Sequence, residues 1–360
     1  MISLIVFFAI LSVLIIVHEF GHFIVAKKIG VRVEQFSLGF GKILWRKKKG
    51  DTEYSIGALP LGGFVKLAGD NLEEYSGKPD EYFSAPAGKR FWIIFCGPLL
   101  NYILSILLFW MIFFVGYPSL TTKIGGFVEG FGAEEAGLKV GDRITAVDGE
   151  KVQYWEDLQK VIYGKKFADS VKVSVVRDGK ELQTEVRLKE KTLEDVIGQK
   201  KKFGLLGITP QEEIVKVRHG FIESLGLGVT KTLDITVLTY KAFGRLLTGK
   251  LSMKESMTGP LGIFFITSKA ASLGVIAVLH LMAVLSLSLA IFNLLPLPVL
   301  DGGHIFLLGL EKIRKKTLSL KSEEVVNKIG YTFIIFLAVL VTYNDIARNF
   351  GEKISKIFIK

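Results

Sequence analysis

Residues His18-Glu19-Phe20-Gly21-His22 set two imidazoles four positions apart, with a carboxylate beside the first. Positions i and i+4 share one face of a helix, so His18 and His22 can hold one metal ion. Glu19 is then placed to take a proton from a water that the metal activates. The motif closes an uncharged, almost wholly apolar run that begins at Ile2. Charged residues in a bilayer-length helix cost roughly 2.5–3.5 kcal/mol each on insertion scales, and as a rule they are functional. The pattern implies hydrolysis inside a membrane.

Two histidines leave a catalytic zinc site incomplete, because such sites have three protein ligands and an open position. The best third ligand lies in Asn293-Leu294-Leu295-Pro296-Leu297-Pro298-Val299-Leu300-Asp301-Gly302-Gly303-His304. Asp301 follows two helix-breaking prolines, and a carboxylate close to a membrane needs a partner. A metal ion would be one. Capping a helix that starts near Gly302 would serve equally well. His304 could ligate metal or hydrogen-bond the Asp301 carboxylate. His219 sits in a polar junction and reads as incidental, and His280 reads as a polar residue in a helix interface. A two-His, one-Asp set suits iron as well as zinc.

The elements that must position these groups are membrane spans. Of the 360 residues, 49% are hydrophobic, and the apolar ones cluster. The fold class expected is a polytopic α-helical membrane protein of about four transmembrane helices, with a membrane-associated β-hairpin and an inserted β-rich domain. The spans are placed at 1–27, 91–116, 273–295 and 329–347, each approaching the length that crosses ~30 Å of hydrocarbon. A net charge of +11 fits basic membrane flanks better than nucleic acid, since no aromatic-interleaved basic tract or zinc-finger spacing is present. Lys27, Lys28, Arg46 and Lys47-Lys48-Lys49 assign the 28–90 loop to the cytoplasm; Lys312, Arg314, Lys315 and Lys316 do the same for 296–328. The long insert then lies on the extracytoplasmic side. The single cysteine, Cys96, excludes an intramolecular disulfide.

Within 28–90, Glu53–Ile56 and Gly62–Leu67 flank a turn with Gly57 and Pro60 and read as two halves of a hairpin. The insert at 120–191 alternates like a soluble β domain. Val171–Val176 and Leu182–Val186 flank Asp178-Gly179, a hairpin signal; Trp155–Ile162 reads as a short amphipathic helix. The stretch 133–149 resembles a PDZ domain of the bacterial protease-associated kind. Such domains bind extended peptides by strand addition and often capture a free carboxyl terminus. The resemblance makes Ile124-Gly125-Gly126-Phe127 the candidate peptide groove. In the 192–272 linker, residues 219–247 carry an apolar stripe at helical spacing, with Lys231, Asp234, Lys241 and Arg245. This reads as a helix lying on the membrane.

Together, His18-Glu19-Phe20-Gly21-His22 and the Asn-x-x-Pro-x-Pro-x-Leu-Asp-Gly-Gly-His segment resemble the site-2 protease family, in particular its bacterial regulator-of-sigma-E branch. Gly97-Pro98-Leu99-Leu100-Asn101, Gly62-Gly63-Phe64-Val65 and Thr258–Ile263 extend the likeness over nearly the whole chain. The resemblance implies an intramembrane zinc metalloendopeptidase, with Zn2+ on His18, His22 and Asp301 and Glu19 as general base. It implies substrate contacts at Asn293, Asn101 and Gly62–Val65, the hairpin presenting substrate as an extended strand. Single-span membrane proteins in the lipid bilayer, such as an anti-sigma factor or remnant signal peptides, are the substrates it implies, in the bacterial inner membrane. The family's best-known members carry two tandem PDZ domains, and this insert has room for one. The rival reading is a catalytically inactive, membrane-tethered PDZ adaptor.

Overall fold

The computed structural model describes residues 2–71, 73–165, 170–195, 197–252, 257–314 and 320–358; Lys315 and Lys316 lie outside them. The chain divides into two units.

The first unit comprises residues 1–112, 224–240 and 252–360. Helices α1 (Ile2–Ile29) and α2 (Ala87–Val115) are followed, much later in the chain, by α6 (Pro260–Leu273), α7 (Val275–Asn293), α8 (Asp301–Arg314) and α9 (Leu320–Phe358). Among the described residues, four helical stretches are long and apolar enough to cross a membrane: Ile2–Ile29, Ala87–Val115, Val275–Asn293 and Lys328–Ala347. These are the expected spans of a multi-pass membrane protein. The helix α6 was not anticipated. Gly274, at φ 105°, breaks one apolar run into two helices, and α6 packs on α1. The buried Asp345 of α9 accepts the Gly259 and Gly262 amides at the start of α6, at 3.1 and 2.8 Å. A charged residue inside an apolar helix thus caps a neighbour's orphan amides.

Strands β1 (Val33–Lys49) and β2 (Thr52–Leu67) form the unit's sheet. The expected halves at 53–56 and 62–67 do not pair with each other. Residues 33–38 run between them: Phe36 faces Val65 on one side and Tyr54 on the other. Irregular pairing around Gly39 and Gly41, both at positive φ, lets each long strand bend and serve two edges. The result is four antiparallel segments in the order 63–67, 33–38, 53–57, 43–49. Phe23 of α1 packs on Phe36 and Tyr54, with ring centroids 5.1 and 6.0 Å away, and so fixes the sheet to the first span.

The second unit comprises residues 113–223 and 241–251. Strands β3 (Tyr117–Leu120), β4 (Ile124–Phe127), β5 (Arg143–Val147) and β6 (Glu150–Lys151) lead through α4 (Trp155–Gly164) to β7 (Ser170–Arg177) and β8 (Lys180–Arg187). A short helix, α3 (Gly132–Glu135), lies between β4 and β5. The sheet order is β6-β5-β7-β8; Ile144, Val147, Val171, Val173 and Val175 are buried beneath α4. The chain then adds a hairpin, β9 (Lys189–Glu194) and β10 (Lys200–Leu205), followed by β11 (Ile208–Pro210) and β12 (Ile214–Val217). β11 pairs with β4, and β12 with β3. The β-rich fold therefore closes beyond Lys191, the end expected from the sequence, because its first strands find their partners last.

Helix α5 (Phe221–Leu247) follows. Within the first unit its small-residue face meets α2. An added Cβ on Gly228 would lie 3.0 Å from the Ile106 carbonyl, and Tyr102 and Thr236 hydroxyls bond at 2.7 Å. This helix packs beside a membrane-length helix instead of lying apart on a surface.

Candidate metal centre

Helical spacing does what the sequence suggests: α1 turns His18 and His22 to one side, with the Nε2 atoms 3.2 Å apart. Asp301, the first residue of α8, brings Oδ2 to 3.1 Å from His18 Nε2 and 3.7 Å from His22 Nε2. The loop that delivers it holds Val299 at φ 75°. A β-branched residue there is a genuine outlier, a strain that such segments carry near functional sites.

The tautomers decide what these atoms can do. His22 Nδ1 lies 2.9 Å from the Ile93 carbonyl, which only accepts. Nδ1 therefore carries the proton and, in the neutral ring, Nε2 is a bare lone pair. His18 Nδ1 faces the Asn101 side-chain amide at 3.4 Å. Asn101 is fully buried, and its Oδ1 has no hydrogen-bond partner. Turning the amide over sets that oxygen opposite His18 Nδ1, which satisfies it and bares His18 Nε2 as well. Asp301 Oδ2 is also buried without a hydrogen-bond donor. Three acceptors thus converge, an arrangement that needs a cation. Ligands ~2.0–2.1 Å from a tetrahedral zinc are ~3.3 Å from each other; the three separations here run from 3.1 to 3.7 Å. The residues fit a divalent metal, and this His18, His22, Asp301 set is the one such cluster among the described residues.

Helix α2 is the template behind the ligands. Ile93, Gly97 and Asn101 recur every four residues on one face. The first and last hold the two imidazoles, while Gly97 leaves room for them: a Cβ there would lie 2.3 Å from His22 Nε2.

The ligands open into a cavity of about 570 Å³. Glu19, Phe64, Val65, Asn293 and His304 line it; Asn101 does not. Asn293 Nδ2 is 3.5 Å from His18 Nε2. Gly63 belongs to the same edge segment as Phe64 and Val65, and Gly62 gives its Cβ space to the Phe40 ring. Among the described residues no strand pairs with the far edge of 63–67. At the other end of the cavity Arg90 and Glu311 pair at 2.6 Å, with Asp70 nearby. Burial pushes the Asp70 carboxyl above its ordinary value, against the opposing pull of the Leu67 amide and Lys66. His219 bonds Glu223 at 2.9 Å, and His280 packs on Phe109; neither approaches the metal ligands.

The groove expected at Ile124–Phe127 has no free edge at its start. Ile124 exchanges backbone bonds with Gly141 and Asp142 on one side, and β11 pairs along the other. The second unit's cavity, about 140 Å³, lies instead between α4 and residues 205–208.

Membrane-length helices around a His-His-Asp cluster with an adjacent glutamate define a membrane-embedded metallohydrolase. The chain matches the description "Peptidase family M50" over residues 6–337. A candidate zinc metalloprotease of Agrobacterium fabrum is 34% identical over 364 residues, covering 96% of each chain. The regulator of sigma E protease of Haemophilus influenzae is 27% identical over 435 residues, covering 95% of this chain and 98% of its own. The PDZ domain of an SdrC-like protein of Listeria innocua is similar over 26% of this chain and 96% of its own, at 22% identity and a TM-score of 0.21. The chain belongs to peptidase family M50, the intramembrane zinc metalloproteases, and is related to their regulator-of-sigma-E branch.

Proposed function

We propose that the chain cleaves single-span membrane proteins within their transmembrane segments, with zinc on His18, His22 and Asp301 and Glu19 as the general base. The convergence of three unsatisfied acceptor atoms beside Glu19, in a cavity among membrane-length helices, carries this reading. A zinc ion held by His18, His22 and Asp301 would supply Lewis-acid charge to make an attacking water more acidic and to balance a developing oxyanion. Glu19 accepts the water's proton and passes it to the leaving amine. Asn101 orients His18 as a positioning residue, away from substrate. Asn293 lines the cavity, and on this reading it would hold a substrate carbonyl.

A helical substrate hides its amides in its own turns, so it must unwind before attack. The free edge of 63–67 can pair with the unwound strand and offset part of that cost. The 28–90 and 296–328 loops face the cytoplasm and the β-rich unit faces outward, as the basic flanks suggest. A peptide carboxyl terminus, exposed by an earlier cut, then docks in the outer unit at the cavity beside α4. Regulated removal of anti-sigma factors or signal-peptide remnants is the role this arrangement fits. Purified protein with a reporter transmembrane helix tests the reading. Cleavage should stop on chelation and return with zinc; cleavage indifferent to metal would reject it.

A further inference from the structure

The sheet of the first unit has a second edge, the segment 43–49, which hydrolysis does not use. Its residues sort by chemistry along the strand. At one end Phe40, Leu44, Trp45, Ile56 and Leu59 are 41–67% exposed. At the other, Arg46-Lys47-Lys48-Lys49 run into the turn.

Contacts fix the level of each end along α1. Gly63, opposite Leu38, lies against Ile15 and Glu19, near the middle of the helix. Tyr54, opposite Lys47, packs on Phe23. Thr52, opposite Lys49, donates its hydroxyl to the Val33 carbonyl at 2.8 Å, just past the helix end. The sheet thus runs back along a span. Its apolar end lies at hydrocarbon depth, and its lysines lie level with Lys27 and Lys28 in the last turn of α1. That level is the headgroup layer.

Charge then selects the headgroup. Arg46 is paired with Glu53 at 3.2 Å. Among the described residues Lys47, Lys48 and Lys49 have no ion-pair partner within 4.0 Å. Residues 46–53 carry four cations against two carboxylates, Asp51 and Glu53. Unpaired ammonium groups at headgroup level, tethered by an apolar strand end, match the phosphates of an anionic leaflet. We propose that this strand binds anionic phospholipid through Lys47, Lys48 and Lys49, while Phe40, Leu44 and Trp45 enter the acyl layer. The segments 53–57 and 33–38 connect this strand to the cavity edge at 63–67, so bound lipid steadies that edge. The last consequence rests on the substrate role proposed above; the lipid contact does not.

The test uses the full chain in phosphatidylcholine vesicles carrying an equal minor fraction of either brominated phosphatidylglycerol or brominated phosphatidylcholine. Quenching of Trp45 is read as the difference between wild type and Trp45→Phe. Brominated phosphatidylglycerol should quench Trp45 several-fold more strongly, on the order of fivefold per lysine at most, and salt should reduce the preference. Replacing Lys47, Lys48 and Lys49 with Gln should equalise the two lipids while quenching by the phosphatidylcholine probe persists, which shows the sheet still inserted. Equal quenching in wild type, or no quenching by either lipid, overturns the proposal whether or not the variant folds. A preference that survives in the triple variant overturns it too.

Discussion

Gly97→Ala probes how tightly α2 holds the metal ligands. The added Cβ would sit 2.3 Å from His22 Nε2, 2.4 Å from His22 Cε1 and 3.1 Å from His18 Cε1. Ordinary contact begins at 3.4 Å, so the His22 ring must move by about 1.1 Å. The two helices cannot easily rotate to make room, because a Cβ on Gly21 would already lie 2.2 Å from the Cys96 carbonyl. His22 is also tied at Nδ1 to Ile93, so the ring must give up that bond or leave the metal position. A misplacement of ~1 Å in a catalytic constellation costs roughly 10²-fold in rate. Overpacking should cost about 1–3 kcal/mol in stability, not enough to unfold a polytopic bundle. The assay is zinc content by mass spectrometry alongside cleavage of a reporter transmembrane helix. Gly88→Ala, in the same helix with nothing within 4 Å of its added Cβ, is the control and should behave as wild type. Full zinc content with cleavage within threefold of wild type in Gly97→Ala would refute the template argument.

Other perturbations separate the remaining roles. Asn101→Leu removes the partner of His18 Nδ1 and should weaken zinc about 10–100-fold in a competition titration, whereas Asn101→Asp, which keeps an acceptor, should lose less. Val65→Pro distorts the cavity edge beside Glu19; turnover should fall with zinc content unchanged, and paired loss of both would contradict it. In the second unit, the Arg177 guanidinium holds the buried Asp142 carboxyl below its ordinary value. Folded below unfolded means this stability is present above the usual aspartate pKa and is lost as pH falls through the lowered value. Arg177→Gln should therefore destabilise the unit near neutral pH, as read by faster hydrogen exchange at the Lys139 amide in the full chain. The difference from wild type should shrink in strong acid; a constant difference would deny the ion pair its role.

Chemistry was legible where local spacing determines it. His18 and His22 needed only a helix; Asp301 stood out as a carboxylate stranded beyond two prolines, where metal binding and helix capping read equally well until the family resemblance was added. The apolar spans were legible because bilayer thickness sets their length. Pairing partners were less so. The runs 53–56 and 62–67 looked like one hairpin, but strand 33–38 entered between them through bends at Gly39 and Gly41, and nothing local announced it. β11 and β12 return to strands some ninety residues earlier, which no window of alternation can reveal. Asn101 was visible as a polar residue in a span, yet its role depends on which nitrogen of His18 it meets. The break at Gly274 was readable in retrospect from a glycine between two apolar runs, where it divides α6 from α7.

The central claim is that Glu19 acts as base beside a metal held by His18, His22 and Asp301. The most direct measurement compares wild type with Glu19→Gln for cleavage of a reporter transmembrane helix and for bound zinc in the same samples. The account predicts equal zinc in both proteins and a loss of cleavage by at least about 10²–10⁴-fold in the variant. Cleavage that persists in Glu19→Gln at full zinc content would contradict it.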